Sequence, residues 1–67
     1  MENELRAKLL STAERCSRIT SLSEQAIGLK AIKDNTVLLR IRKGAGFTIR
    51  TYDRLMEFME TEMYRSS

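Results

Sequence analysis

Apolar residues recur every three or four positions along most of this chain, and that helical periodicity restricts its fold more than any other feature. The sequence contains no proline and only three glycines, so few positions interrupt a helix. Its 67 residues suffice for one domain with a small hydrophobic core. We therefore expect residues 1–67 to form a single, compact all-α domain of four helices, or of five.

Two amphipathic helices are predicted in the first half of the chain. The first runs from about Asn3 to Arg18, with an apolar stripe made of Leu5, Leu9, Ala13 (or Thr12) and Cys16. The second runs from an N-cap at Ser23 to about residue 32, because a serine hydroxyl can accept a bond from an unpaired amide at a helix start. Its predicted buried side consists of Ala26, Ile27, Ala31 and Ile32. Gly28 disfavours a helix, which indicates close packing against a neighbour.

Two more helices are predicted in the second half. Asp34 is expected to cap a helix that runs to about Lys43. Gly44 is expected to end this helix, because glycine tolerates a positive φ angle. Thr48 is expected to cap the last helix, which covers about residues 49–64.

Positive charge is concentrated in the middle of the chain. Of the net charge of +3, residues 30–54 carry +5, from seven basic and two acidic residues. Residues 1–29 are neutral in sum, and residues 55–67 carry −2. A basic centre beside an acidic end indicates contact between the centre and a polyanion.

The sequence contains no motif for catalysis or metal binding. Cys16 has no second cysteine to pair with, and the chain has no histidine that could activate its thiol or complete a zinc site. We interpret Cys16 as a small core residue. No apolar run approaches the roughly 20 residues that span a bilayer, and the first ten residues lack an export signal. The sequence thus predicts a cytoplasmic, non-enzymatic protein with no cofactor, metal or membrane contact.

The predicted third helix has two chemically different sides. On a helical wheel, Val37, Leu38 and Ile41 fall within one arc of about 100°, and this side is expected to be buried. The opposite side carries hydrogen-bonding, apolar and cationic side chains, which are Asn35, Thr36, Leu39, Arg40 and Lys43. Arginine can bond guanine, asparagine can bond adenine, and threonine or leucine can contact a thymine methyl. These patterns leave both DNA binding and an ordinary solvated surface open.

The order of these parts carries a family resemblance. The segment LSEQAIGLKAIKDNTVLLRIRKGAGFTIRTYDRLMEFM, residues 22–59, resembles the lambda-repressor-like (Cro/repressor-type) helix-turn-helix DNA-binding domains of small phage and bacterial transcriptional regulators. The residues that match the family pattern are Ser23, Ala31, Asp34, Val37, Leu38, Arg40, Ile41, Arg42, Gly44, Thr48, Arg50, Thr51, Arg54 and Leu55. Family members often have glutamine directly after the first cap, whereas this chain has Glu24 there and Gln25 next.

The resemblance implies a regulator, such as a repressor, that binds double-stranded DNA with residues 34–43 in the major groove. The base contacts that it implies come from Asn35, Thr36, Leu39 and Arg40, of which Arg40 is the principal one. The phosphate contacts that it implies come from Gln25, Arg42, Lys43, Thr48 and Arg50.

The predicted last helix carries a broad, methionine-rich apolar face. Its members are Ile49, Tyr52, Met56, Met59 and Met63, with Leu55 and Phe58 beside them. Two interpretations are open. Either the upstream helices bury this face, or two copies of the chain pair through Tyr52, Met56, Met59 and Met63. A homodimer would place two recognition helices about 34 Å apart on a palindromic operator.

Two other functions compete with DNA binding. A helical protein-interaction module, for example a phage-type inhibitor of a host factor, would use the methionine-rich helix, because methionine surfaces adapt to partners. RNA binding would need bases to stack on aromatic side chains, which are Phe47, Tyr52, Phe58 and Tyr64. Affinity for duplex DNA that falls steeply with added salt would distinguish DNA binding from protein interaction.

Overall fold

Helices make up all the regular secondary structure of the described chain. A computed structural model describes residues 2–66. It contains α1 (Glu2–Thr20), α2 (Glu24–Ile32), α3 (Val37–Arg42) and α4 (Ile49–Arg65), and no strand occurs within that range. The predicted all-α class is confirmed, and so is the predicted number of helices, which is four.

The most extensive helix packing in the domain involves α4, along which both α1 and α2 pack. α3 packs mainly against α2, and the whole measures 30 × 21 × 18 Å. The buried core consists of Leu9, Ala13, Cys16, Ile27, Val37, Leu38, Ile41, Leu55, Met56 and Met59. Among the described helices, none combines the length and the apolar character that crossing a bilayer requires.

The predicted apolar sides of α1 and α2 are confirmed. In α1, Leu9, Ala13 and Cys16 are fully buried and Leu5 is half-buried. In α2, Ile27 is fully buried and the other three predicted positions are half-buried. Burial also raises the pKa of the Cys16 thiol, which agrees with its interpretation as a core residue.

The starts of α2 and α4 are also as predicted. The Ser23 hydroxyl accepts a hydrogen bond from the Ala26 amide at 3.1 Å. The Thr48 hydroxyl accepts one from the Thr51 amide, also at 3.1 Å. The ends lie slightly beyond prediction, since α1 ends two residues later and α4 one residue later than their patterns indicate. Both N-caps are local interactions that neighbouring residues specify.

The start of α3 differs from prediction, because Asp34 is not its N-cap. Thr36 occupies that position, and its side chain caps no amide. The reason lies at the end of α2, where Lys33 takes a left-handed conformation (φ 60°, ψ 33°) and the Asp34 amide donates to the Gly28 carbonyl at 3.2 Å. The chain must turn once more before it can become helical. Asp34 therefore accepts the Thr36 amide within this turn.

The glycine in α2 allows an unusually close approach between α2 and the start of α3. A Cβ atom at Gly28 would lie 2.4 Å from the carbonyl oxygen of Asp34 and 2.8 Å from Cγ1 of Val37. Only a hydrogen atom fits there, which confirms the close packing predicted for Gly28. At the other end of α3, Gly44 has a φ of +106° and ends the helix as predicted.

An arginine of α1 fixes the segment between α3 and α4, and no pattern in the sequence indicates this contact. Nη1 of Arg6 donates to the carbonyls of Ile41 at 2.6 Å and Ala45 at 2.8 Å. The Arg6 guanidinium also lies 5.5 Å from the centre of the Phe47 ring, and Phe47 stacks on Tyr52 with 6.4 Å between ring centres. These contacts connect the end of α3 to the first turns of α4.

The methionine-rich face of α4 is largely covered within one protomer. Met59 is fully buried and Met56 is 8% exposed, while Tyr52 and Met63 are half-buried and pack against the core. The predicted dimer interface is therefore corrected at Met56 and Met59, because a second copy could not reach them without opening the core. Burial by the upstream helices is the interpretation that applies to these two residues.

Candidate nucleic-acid interface

α3 and the turn before it expose one strip of side chains. Val37, Leu38 and Ile41 are buried, as the helical wheel predicts. The five residues predicted to face solvent are all exposed, and we name them the α3 strip: Asn35, Thr36, Leu39, Arg40 and Lys43. The two sides of this segment are therefore separated as predicted, although α3 itself has only six residues.

The α3 strip begins before the helix does. Asn35 and Thr36 lie in the turn, and Arg40 follows one helical turn later, with its amide donating to the Thr36 carbonyl at 2.9 Å. A helix of six residues rises only about 9 Å. Two of the five members thus lie in the turn, two lie in the middle of α3, and Lys43 follows the helix directly. In helix-turn-helix proteins, the N-terminal residues of the recognition helix are those that contact base edges.

Asp34 bonds to two members of the strip. Its Oδ1 atom accepts hydrogen bonds from the Thr36 amide at 3.0 Å and from the Thr36 hydroxyl at 2.9 Å. Its Oδ2 atom accepts a charge-assisted bond from Nη2 of Arg40. The Thr36 amide, followed by the Thr36 hydroxyl, lowers the pKa of the Asp34 carboxyl below its ordinary value. Asp34 is therefore ionised at neutral pH, with three donors around it.

The pKa of Asp34 gives a direct check on these bonds. We expect Thr36→Val to raise that pKa partway toward its ordinary value, because valine keeps the shape of threonine but has no hydroxyl to donate. The amide bond stays, so the rise is partial. A carboxyl titration by NMR measures the change, with Thr61→Val, an exposed position on α4, as the matched control.

The lowered pKa of Asp34 also makes the stability of the fold depend on pH. Because folding lowers the pKa of Asp34, the carboxylate stabilises the fold above its unfolded-state pKa. That contribution disappears as the pH falls through the folded-state pKa, and Thr36→Val should make it smaller. An unchanged pKa in Thr36→Val would show that the hydroxyl does not bond Asp34 in solution.

Arg42, a predicted phosphate contact, is already paired with acids of α1 and α2. Its Nε atom donates to Glu24 at 3.0 Å, Nη2 bonds the same carboxylate, and Glu14 lies 3.8 Å away. The hydrogen bond to Glu24 is the largest cause that raises the pKa of Arg42. Glu24 stands where the resembled family often has glutamine, and its acidic group binds Arg42 instead. This pairing makes Arg42 a weaker candidate for phosphate than the other predicted cations.

Lys43 and Arg50 are predicted phosphate contacts whose charged groups are not engaged by an acidic side chain of the described residues. Both are exposed, and neither takes part in an ion pair among the side chains that the structure describes. Lys43 follows α3 directly, and Arg50 lies in the first turn of α4. Gln25 is exposed in the first turn of α2.

The start of α4 and one member of the α3 strip line the same cavity. A cavity of about 230 Å³ is lined by Asp34 and Arg40 and also by Thr48 and Thr51. Arg40, a predicted base contact, and Thr48, a predicted phosphate contact, therefore line the same cavity. Gln25 does not line this cavity.

A second groove, of about 400 Å³, lies between α2 and α4. Basic, acidic and apolar side chains line it, and none belongs to the α3 strip: Lys30, Ala31, Arg54, Glu57, Phe58 and Thr61.

No three cysteine or acidic side chains of the described residues come close enough together to hold a metal ion. Comparisons of the chain with protein-family models, with curated proteins and with solved structures found no match.

Proposed function

We propose that the protein is a non-enzymatic cytoplasmic regulator that binds double-stranded DNA through the α3 strip. In this proposal α2, the connection 33–36 and α3 act as a helix-turn-helix of the lambda-repressor-like type. The observation that carries it is the separation of sides in α3, where the aliphatic residues are buried and all five members of the strip are exposed. A strip of cationic, amide, hydroxyl and apolar groups matches what a major groove presents.

Each member of the strip has a role in this proposal. Arg40 donates to guanine, Asn35 bonds adenine, and Thr36 and Leu39 contact neighbouring base edges. Phosphates are neutralised chiefly by Lys43 and Arg50, because these cations are exposed and unpaired in the part of the chain that the structure describes. The pairing of Arg42 gives it less support as a phosphate contact, and Gln25 and Thr48 would add polar contacts to the backbone.

We also propose that the protein represses transcription as a homodimer on a palindromic operator. Since Met56 and Met59 lie in the core, the two copies would have to meet through other surface. Sequencing the duplexes that the purified protein selects in vitro tests this part, because a dimer selects two inverted half-sites and a monomer selects one. Burial of these methionines also weakens the alternative of a protein-interaction module that uses their face.

The salt dependence of binding tests the proposal itself. We expect affinity for a random duplex to fall steeply with added potassium chloride, with a slope of about −0.9 in log affinity against log salt for each phosphate neutralised. A double variant, Lys43→Gln with Arg50→Gln, should flatten that slope by about 2, since it removes two phosphate contacts. Fluorescence polarisation on a labelled duplex measures both slopes.

The matched control for this experiment removes the same charge elsewhere. Lys8→Gln with Arg15→Gln changes two exposed cations of α1, and we expect it to leave the slope nearly unchanged. A wild-type affinity that is absent, or that does not respond to salt, would contradict DNA binding and favour the protein-interaction module.

A further inference from the structure

We infer that Asp34 is a positioning residue that sets which hydrogen-bonding groups the α3 strip offers to DNA. It does so by holding the Thr36 hydroxyl and the Arg40 guanidinium through its two oxygen atoms. The inference rests on the proposed function and adds to it the kind of base pairs that the strip recognises.

The first step concerns the proton of the Thr36 hydroxyl. A hydroxyl has one proton to donate and two lone pairs that accept. The proton of Thr36 is directed to Oδ1 of Asp34 at 2.9 Å, so the exposed oxygen can only accept. In the major groove, the donors that such an acceptor can meet are the amino groups of adenine and cytosine. Thr36 is thus matched to these bases and not to the acceptor atoms of guanine.

The second step concerns the guanidinium of Arg40. One of its donors bonds Oδ2 of Asp34, while its side chain stays 56% exposed. A guanidinium is planar, so fixing one nitrogen sets the direction of the remaining N–H groups. Holding this flexible side chain in the free protein reduces the freedom that it must lose on binding. The remaining donors match the two acceptor atoms of guanine.

The third step is that Asp34 itself is held in place. Its amide donates to the Gly28 carbonyl at 3.2 Å, and its carboxylate accepts the Thr36 amide at 3.0 Å. The position of the carboxylate is therefore set by the end of α2 and by the turn, both of which are backbone features. Because three donors surround the carboxylate, its repulsion of DNA phosphates is reduced.

These steps give a specific expectation for the DNA site. Thr36 and Arg40 lie four residues apart, which is about 6 Å along a helix. Base pairs stack about 3.4 Å apart, so the two side chains meet bases within about two pairs of each other. We expect selected sites to contain a guanine and, within that distance, an adenine or a cytosine whose amino group faces the major groove.

Asp34→Asn is the test variant. Asparagine keeps the side-chain oxygen that accepts the Thr36 amide, but its uncharged amide cannot hold both the Thr36 hydroxyl and Arg40. Dissociation constants are measured on two duplexes, one selected by the wild type and one random. The ratio of the constant for the random duplex to that for the selected duplex measures specificity. We expect this ratio to fall by about tenfold in Asp34→Asn. Affinity for random DNA should stay the same or rise, because an acidic group is lost.

Asp53→Asn is the matched control, since it makes the same chemical change at an exposed position of α4. We expect it to leave the ratio unchanged within about twofold. In a background of Arg40→Ala, Asp34→Asn should cause only the part of the loss that Thr36 contributes, because Asp34 acts through the two side chains that it holds. Circular dichroism is used to check whether each variant is folded.

The following outcomes decide the inference. An unchanged ratio in folded Asp34→Asn would show that Asp34 only shapes the turn, and a higher ratio would show that it competes with DNA for Arg40. If Asp34→Asn does not fold, Thr36→Val serves instead, and an unchanged preference for adenine or cytosine would overturn the inference. A wild type that selects no sequence and shows no salt dependence rejects the proposed function, whereas a specific wild type with an unaffected Asp34→Asn rejects this inference alone.

Discussion

Gly28→Ala is expected to destabilise the domain by about 1–3 kcal/mol, through overpacking at the contact between α2 and the start of α3. The new Cβ would lie 2.4 Å from the Asp34 carbonyl oxygen and 2.8 Å from Cγ1 of Val37. The first of these neighbours is backbone, and the Asp34 amide donates to the Gly28 carbonyl, so moving the Asp34 backbone away would strain or break that bond.

Two effects oppose each other in this variant. Alanine favours a helix over glycine by about 1 kcal/mol, which would stabilise α2 if there were room for the methyl group. At this position the clash should prevail, because relieving it means shifting α3 away from α2. A domain of this size has a free energy of unfolding of only about 3–10 kcal/mol, so the loss would be a large part of the total.

Urea unfolding followed by circular dichroism measures the effect of Gly28→Ala. Gly46→Ala is the matched control, because a Cβ there meets nothing within 4 Å. Its free energy of unfolding should change by less than about 0.5 kcal/mol. Equal stability of the two variants would contradict the close approach of α2 and the turn.

Arg40→Ala is expected to remove about 1–3 kcal/mol of discrimination at one base pair of a selected site. In the proposed function, its guanidinium makes the principal base contact of the α3 strip, and its side chain is 56% exposed. Polarisation assays on the selected duplex and on its single-base variants measure the effect. The loss should be confined to sequences that carry the recognised base.

Lys43→Ala is the comparison for Arg40→Ala. It removes one exposed cation from the same strip, and we expect it to weaken all sequences alike and to flatten the salt dependence by about 1. Equal losses on every sequence for Arg40→Ala would show that Arg40 contacts only phosphate. Since both side chains are exposed, thermal unfolding should change little in either variant.

The sequence predicts those features of this fold that depend on neighbouring residues. The spacing of Val37, Leu38 and Ile41 identifies the buried side of α3, because a helix returns to the same side every three to four residues. Ser23 and Thr48 mark the starts of two helices, because each hydroxyl bonds an amide three residues away. Such interactions lie within one turn of the chain, and the pattern of residue types is enough to find them.

Asp34 shows where local rules are insufficient. The residue type suits an N-cap, but the left-handed end of α2 at Lys33 delays α3 and gives Asp34 a different role. An aspartate followed two residues later by Thr36 also fits a turn in which the side chain accepts an amide, and this signal could have corrected the boundary. The bond that Arg40 donates to the Asp34 carboxylate has no comparable signal in the sequence.

Sequence alone determined the helical class, the apolar sides, two of the caps and the exposed strip of α3. Only the tertiary structure decided which partners the charged side chains bind and which residues of α4 are buried by the other helices. Arg6 bonds a carbonyl 35 residues away, Arg42 bonds an acid 18 residues away, and the core covers Met59 completely. The physical reason is that these contacts depend on how the helices cross in space, and residue spacing within one helix carries no information about that packing.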